Sequence, residues 1–402
     1  MSLKSLMWML IAVLLAGCAA APVELIGPAD VVVAVPEGPE AEALRGAAQA
    51  FETAAGLKVW VESLPVEQYA GRVNSYLLAG RADYDLVYLP AEQLPRWAVY
   101  HAIQPLEVAE AGRAALAPWL DAVTVNGEVM GAPVQPGAEV LWFRADWLRA
   151  AGLEPPATWE AFDEAVRRLA SLPERSGAAV AAGPGEAGAD FTPYLAGVCA
   201  PAAPFDCPAE TQKAALRRYL RLAGGGPWDR AGRADAARAL RSGQAAMAIL
   251  PLTMAAALLD CSAEAPVCEQ GRSRLGWSTA PGLAKTGVGS LAAWAVPLRA
   301  AHPQAGRQLA AWLMSREGAL AWAAAGGLPA HRDAAEEAAA ERPYLALLAG
   351  LEVYHLGLPP TTGADALWGA YHAAVHGAVG GDDPAAAWDA FRRQVGAAQQ
   401  RE

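Results

Sequence analysis

Short apolar runs alternate with amphipathic segments along the first third of the chain, and this alternation predicts strands and helices in turn. Residues 31–35, VVVAV, form an unbroken apolar run that is typical of a buried strand. The other elements predicted here are strands over 57–61 and 85–89 and helices over about 40–55 and 69–79. A strand–helix–strand order of this kind favours an α/β fold with a parallel sheet.

The stretch from Gly131 to Phe162 interrupts this alternation. It returns from a predicted hairpin at residues 126–127 and stays extended through the apolar run at 140–143, VLWF. A short helix and a second helix capped by Thr158 follow it. An extended segment between two α/β patterns predicts a crossover between two lobes, and 402 residues suit two lobes better than one core.

The second half of the chain is richer in helical patterns than in strand patterns. Residues 178–182 form a strand-like run and 293–297 a strand. The clearest predicted helices cover 158–169, 211–222, 365–379 and 385–398. Trp60 and Trp294 lie inside predicted strands, and we expect both side chains in the core.

Residues 1–18 read as a targeting segment. Lys4 precedes an apolar run over 6–15, which at ten residues is too short for a permanent membrane span. The tetrad at 15–18, LAGC, resembles the bacterial lipoprotein box, which would make Cys18 the lipidated first residue after cleavage. An ordinary secretion signal with an incidental cysteine is the alternative. Two acyl chains on Cys18 would suffice for stable anchoring.

Four cysteines remain after Cys18, and an even number in an exported chain suggests disulfides. Three pairings exist for them. The short separations favour Cys199–Cys207 and Cys261–Cys268. A zinc site of four thiolates is the alternative, although the spacing is not that of paired Cys-x-x-Cys motifs.

Charge and motifs exclude several functions. The formal net charge of −11 argues against a nucleic-acid partner. The sequence carries no nucleophile elbow, phosphate-binding loop or metalloprotease motif, so we expect no enzyme, no cofactor and no metal. His372 and His376 stand four residues apart and could share a metal, but no third ligand is evident, and a solvated or core-edge helix face is the expected reading.

Several motifs occur in an order that resembles one protein family. They are residues 51–59, FETAAGLKV; 155–162, PPATWEAF; 242–247, SGQAAM; and 326–330, GGLPA. In this order they resemble the extracellular solute-binding proteins of bacterial ABC importers, in the maltose-type branch that carries sugars, here in a lipoprotein form. Residues 142–146, WFRAD, fit the family's strand loosely, because Arg144 replaces an asparagine.

The resemblance implies a two-lobed periplasmic-binding-protein fold of type II, in which each lobe is a mixed sheet flanked by helices and the ligand lies in the cleft between them. On this reading residues 1–17 are the signal peptide and 18–30 a tether. Lobe 1 comprises 31–135 plus 288–328, and lobe 2 comprises 136–287 plus 329–402. The connections near 136–137, 287–289 and 326–327 would then act as hinges, whose backbone torsions change when the lobes close.

The function implied is a lipid-anchored, monomeric binding protein outside the cytoplasm that delivers a sugar or oligosaccharide to a permease. The alternatives are a binder of a polyamine, polyol or glycerol phosphate, a surface glycosidase, and a sensor without an importer.

A sugar site needs an aromatic ring on which the sugar can stack, together with polar partners for its hydroxyls. The ligand-binding candidates are Glu37, Tyr88 and Gln135, which the topology places at the cleft, and Gly289, which the resemblance places there. Trp228 and Trp368 are the candidates for the stacking aromatic rings.

Overall fold

The structure is a computed structural model that describes residues 29–170, 176–199, 207–224, 227–356 and 363–399. Cys18 and the predicted signal peptide lie outside the described residues. The strands are β1 (Val31–Pro36), β2 (Val59–Leu64), β3 (Leu86–Pro90), β4 (Ile103–Gln104), β5 (Thr124–Val125), β6 (Glu128–Val129), β7 (Ala132–Arg144), β8 (Met247–Pro251), β9 (Cys268–Glu269), β10 (Arg272–Ser273), β11 (Leu275–Thr279), β12 (Thr286–Pro297) and β13 (Val353–Leu356).

The helices cover most of the predicted helical segments, with ends that differ by a few residues. They are α1 (Pro39–Ala55), α2 (Val66–Ala79), α3 (Leu94–Val99), α4 (Glu110–Leu120), α5 (Ala145–Ala150), α6 (Trp159–Leu169), α7 (Ala187–Ala196), α8 (Ala209–Ala223), α9 (Arg233–Ser242), α10 (Ala255–Leu259), α11 (Pro303–Leu313), α12 (Arg316–Ala324), α13 (Arg332–Ala338), α14 (Ala346–Ala349), α15 (Ala364–Val379) and α16 (Pro384–Gln399). The predicted cap of α6 is confirmed, since the Thr158 hydroxyl accepts a hydrogen bond from the Ala161 N–H.

A nine-stranded sheet in the order β11-β7-β12-β3-β1-β2 runs through the molecule, with β8 also paired to β7, and β4 and β13 paired to β12. β1 is parallel to β2 and β3, as the strand–helix–strand pattern predicts. The carboxyl-terminal half of β7 pairs with β8 and β11, which form the second part of the sheet. Among the described strands, only β7 therefore pairs with strands of both parts of the sheet.

The central pairing joins β7 to β12 antiparallel over residues 132–138 and 289–294. At one end of this pairing the two backbones lie so close that a Cβ on Gly289, which has φ +153°, would stand 2.2 Å from the Gly137 carbonyl oxygen, so this position requires glycine. A Cβ on Gly137 would stand 2.4 Å from the Ser290 hydroxyl, which can turn away, and 3.2 Å from the Ser290 carbonyl oxygen.

The extended run through 140–143 is confirmed, since it is the end of a longer strand, β7, whose positions are all buried. Two sequence expectations need correction. Residues 178–182 are buried but form no strand, and Ala179 makes only an isolated bridge to Ala248. Trp60 is 41% exposed, because it lies on β2, an edge strand that pairs only with β1. Trp294 is fully buried, as expected for a central strand.

Both predicted disulfides are present, Cys199–Cys207 and Cys261–Cys268. Each bridge closes a short loop, the first before α8 and the second between α10 and β9. Within the described ranges, no helix has both the length and the continuous apolar surface needed to cross a bilayer.

We predict that the double variant Cys261→Ser/Cys268→Ser unfolds more easily than the wild type. Closing a loop of this size restricts the unfolded chain, and its loss costs about 2–3 kcal/mol of unfolding free energy. Urea denaturation of the oxidised proteins measures the difference. Ser262→Ala, in the same loop, is the matched control and should change the unfolding free energy little. Equal stability of the double variant and the control would contradict a stabilising bridge.

Candidate functional site

A cavity of about 230 Å³ lies where β7 and β12 meet the helices of the second part of the sheet. The rule for open α/β sheets places ligands beyond the carboxyl ends of parallel strands, and the turn after β3 does contribute to this cavity. Its walls are formed by Glu92, Glu139, Ala189, Thr192, Arg233, Gly289, Ser290, Trp368 and His372.

The aromatic wall comes from α15. Trp368 is half-buried, and its indole N–H has no hydrogen-bond partner in the described part of the chain. The ring lies 5.5 Å from the His372 ring, one turn further along the helix, at an interplanar angle of 30°. The Nδ1 of His372 accepts a hydrogen bond from the Gly188 N–H, so the neutral imidazole carries its proton on Nε2.

The charged wall centres on Glu139, which β7 carries into the cavity with a side chain only 4% exposed. Its Oε1 accepts a hydrogen bond of 2.6 Å from Nη2 of Arg233, the first residue of α9. Glu139 Oε2 has no partner among the described residues. Arg233 Nε also lies 3.6 Å from a Glu186 carboxylate oxygen, so two acids share this guanidinium.

Burial dominates the electrostatics of these groups. It raises the pKa of Glu139 to about 7, although the Arg233 charge opposes the shift. Burial likewise raises the pKa of Glu92 to about 7, with a further contribution from the Asp365 carboxylate. For His372, burial and then the Arg233 charge lower the pKa, which favours the neutral imidazole.

Two of the predicted ligand-binding residues, Gly289 and Trp368, line this cavity. Glu37 is exposed after β1 and is not part of the wall. Tyr88 lies within the sheet, where its ring packs edge-on against Trp294 at 5.1 Å. Trp228 is 5% exposed and belongs to the core beside the cavity rather than to its surface.

Gln135 has a structural role and does not line the cavity. It is the extra residue of a β-bulge, where β12 pairs Leu291 with Pro136 and Ala292 with Val134, and its φ is +52°. Its buried amide oxygen accepts hydrogen bonds from the Leu328 N–H and the Trp322 indole. Gln135 therefore ties β7 to the turn after α12, and it is not among the residues of the cavity wall.

The sequence reasoning missed Glu92, Glu139, Thr192, Arg233 and His372 as members of one site. Glu139 carried a usable signal, because it is the single charged residue in the apolar stretch from Val134 to Phe143. His372 was considered only as half of a metal pair. In the structure its partner His376 bonds to the Ala182 carbonyl through Nδ1, and the described residues contain no cluster suited to a metal.

The two parts of the sheet also contact each other beside the cavity. Asp365, in the first turn of α15, accepts hydrogen bonds from Gln93 Nε2 at 3.0 Å and from Arg96 Nη1 at 3.2 Å. Gln93 and Arg96 belong to the segment that follows β3, and Glu92 of the cavity wall is the neighbour of Gln93. α15 therefore provides both the aromatic wall, through Trp368, and this contact.

We predict that the buried Glu139 carboxyl makes stability depend on pH. Because its pKa is higher in the folded protein than its ordinary value of 4.5, the folded state holds a proton that the unfolded chain has released. This contribution to the unfolding free energy is fully present below about pH 4 and is lost as the pH rises to about 7, by up to about 3 kcal/mol.

Urea denaturation at about pH 5 and about pH 8 measures this effect as the difference between the wild type and Glu139→Gln. Glu128→Gln, an exposed position of the β5–β6 hairpin, is the control and should follow the wild type. Identical pH slopes for the wild type and Glu139→Gln would refute the prediction.

Comparison with solved structures identifies the architecture. An ABC transporter solute-binding protein from Agrobacterium radiobacter K84, in complex with ribitol, is 18% identical with a TM-score of 0.70, and the match covers 92% of this chain and 98% of that one. Maltose-bound MalE3 from T. maritima is 19% identical with a TM-score of 0.70, over 90% and 98% of the two chains. MalX from Streptococcus pneumoniae, in complex with maltopentaose, is 16% identical with a TM-score of 0.70, over 91% and 100%.

At these identities the likeness establishes the fold, which is the two-lobed solute-binding architecture that the sequence motifs predict. No curated protein matches the chain. A family model described as bacterial extracellular solute-binding protein matches residues 46–344, about three quarters of the chain. The chain therefore belongs to the bacterial extracellular solute-binding proteins, a family of binding proteins rather than enzymes.

Proposed function

We propose that this protein captures a sugar or polyol in the cavity between its lobes and delivers it to an ABC importer. The observation that carries this proposal is the composition of the cavity wall. Trp368 supplies an aromatic face with an indole N–H that has no partner among the described residues, while Glu139, Glu92 and Arg233 supply carboxylate and guanidinium groups. The relatives named above are described with maltose, maltopentaose or ribitol bound.

This wall suits a polyhydroxylated ligand for a physical reason. A sugar presents an apolar C–H face, which packs against an aromatic ring, and a rim of hydroxyls, which need fixed donors and acceptors. Here Glu139 Oε2 is a free acceptor, and Trp368 Nε1 and His372 Nε2 are donors. A single partly buried guanidinium, already shared by two carboxylates, favours neutral polyols over glycerol phosphate.

Capture requires the lobes to close on the ligand. We assign residues 31–135 plus 288–328 to lobe 1 and 136–287 plus 329–402 to lobe 2. On this division, the hydrogen bonds from Gln93 and Arg96 to Asp365 join the lobes at the cavity and support a closed form. The pair of Arg96 with Asp365 is partly exposed, so it adds little free energy and leaves the balance to the ligand.

Delivery requires the protein to stay near its permease. We propose that Cys18 carries the lipid anchor and that the residues between Cys18 and β1 form the tether, which places the monomeric protein at the outer face of the cytoplasmic membrane or in the periplasm. The support is the lipoprotein-like tetrad at 15–18 and the match to an extracellular family.

We predict that Trp368→Ala weakens ligand binding by about 1–3 kcal/mol, the scale of one lost aromatic face. The protein is first screened by thermal shift against maltose, ribitol and D-mannitol, and the strongest stabiliser is titrated calorimetrically. The wild type should also show a change in tryptophan fluorescence on binding, as Trp368 passes from a wet cleft into a buried stack.

Trp228→Ala provides the contrast, because that side chain lies in the core. It should lower the unfolding free energy by about 3–5 kcal/mol, as truncation of a buried aromatic does. Trp60→Ala, at an exposed edge-strand position, is the control for both readouts. Unchanged affinity in Trp368→Ala would remove this residue from the binding site, and loss of folding in that variant would assign it to the core.

We predict that Cys18→Ser abolishes lipidation, because serine cannot form the thioether to the lipid. The variant should be found in the soluble fraction or should retain its signal peptide, which fractionation and intact mass measure in a bacterial host. Normal maturation and membrane retention of the variant would show that Cys18 is not the anchor.

A further inference from the structure

We propose that the cavity selects an amine-bearing sugar over its neutral counterpart, with the Glu92 and Glu139 carboxylates facing the ammonium group. This inference rests on the proposed sugar-binding function and narrows its substrate class. It also implies that sugar phosphates and acidic sugars are excluded.

The first observation is the free oxygen of Glu139. The side chain is 96% buried and lines the cavity, and only its Oε1 is used by Arg233. A buried carboxylate oxygen without a donor loses its hydration without compensation. In the described chain nothing supplies that donor for Oε2, so a donor group of a ligand bound beside it would compensate for the lost hydration. An ammonium group donates three charge-assisted hydrogen bonds, which are stronger than those from a hydroxyl.

The second observation is the charge balance of the wall. Its charged side chains are two carboxylates, Glu92 and Glu139, and one guanidinium, Arg233. Arg233 is shared between Glu139 and Glu186, which leaves it no unbalanced positive charge. Glu92 makes no ion pair with any described residue, since the nearby Arg96 pairs with Asp365 instead. When both carboxyls are ionised, the wall therefore carries an excess of negative charge that a bound cation would neutralise.

The remaining wall does not compensate for this excess. His372 accepts the Gly188 N–H on Nδ1 and stays neutral, and the Trp368 ring attracts cations through its π face. Burial raises the pKa of both carboxyls to about 7; Glu92 has no ion-pair partner among the described residues, and at Glu139 burial outweighs the opposing charge of Arg233. A bound ammonium lowers such pKa values and so releases protons near pH 7, whereas a neutral sugar does not supply the charge for this release.

The test compares matched sugars on the mature wild-type protein by calorimetric titration near neutral pH. The pairs are D-glucosamine with D-glucose, D-galactosamine with D-galactose, and deacetylated chitobiose with cellobiose, and D-glucose 6-phosphate is the anionic probe. In at least one pair we expect the amine to bind about tenfold more tightly, the effect of one charge-assisted hydrogen bond replacing a neutral one. Titrations in buffers of different ionisation enthalpy should show proton release for the amine alone.

Two variants test the assignment to Glu92. Glu92→Gln should bring the amine-to-neutral affinity ratio of that pair toward one, whereas the exposed Glu128→Gln should keep the wild-type ratio. Tighter binding of the neutral member in every pair, equal affinities, or binding of the phosphate in preference to the amine would overturn the inference and leave sugar binding intact. Absence of binding by every sugar and polyol tested would overturn the proposed function as well.

Discussion

The antiparallel pairing of β7 with β12 is the interaction on which the rest of the structure depends. Residues 132–138 of β7 and 289–294 of β12 complete the sheet of β1, β2 and β3, while the rest of β7 carries β8 and β11. Without this pair the chain would contain two separate sheets with unpaired edges. The cavity lies at the same pairing, because Gly289 and Ser290 belong to β12 and Glu139 to β7.

The electrostatics of the site follow from the same strand. β7 is buried at every position, so the carboxylate of Glu139 enters the molecule with the strand and cannot turn to solvent. Arg233 at the start of α9 offsets part of the cost of burying that charge. The positive charge of Arg233 is itself shared with the carboxylate of Glu186. A fold that needs one continuous central strand thereby places an incompletely paired carboxyl group in the wall of the cavity. Such an arrangement is costly for stability and useful for recognition.

Local sequence patterns sufficed for most elements and for both disulfides, because periodicity, caps and short loops are properties of neighbouring residues. Trp368 and Gly289 could also be predicted as cavity residues, because each lies next to a loop or a family motif in the sequence. Glu92, Glu139 and Arg233 were not, because strand register and helix packing bring them together from positions far apart in the chain. Trp228 and Trp368 both follow glycine-containing loops, and only packing against the core distinguishes the first from the second.

The contact between Gly137 and Gly289 has a mechanical consequence. A Cβ on Gly289 would collide with the Gly137 carbonyl oxygen, and one on Gly137 would lie 3.2 Å from the Ser290 carbonyl oxygen, at the end of the β7–β12 pairing. A side chain on Gly289 would therefore have to displace the backbone of β7, and with it the cavity wall to which Gly289 and Glu139 belong. The close approach of the two backbones thus sets the spacing of the two strands where they form the wall of the cavity.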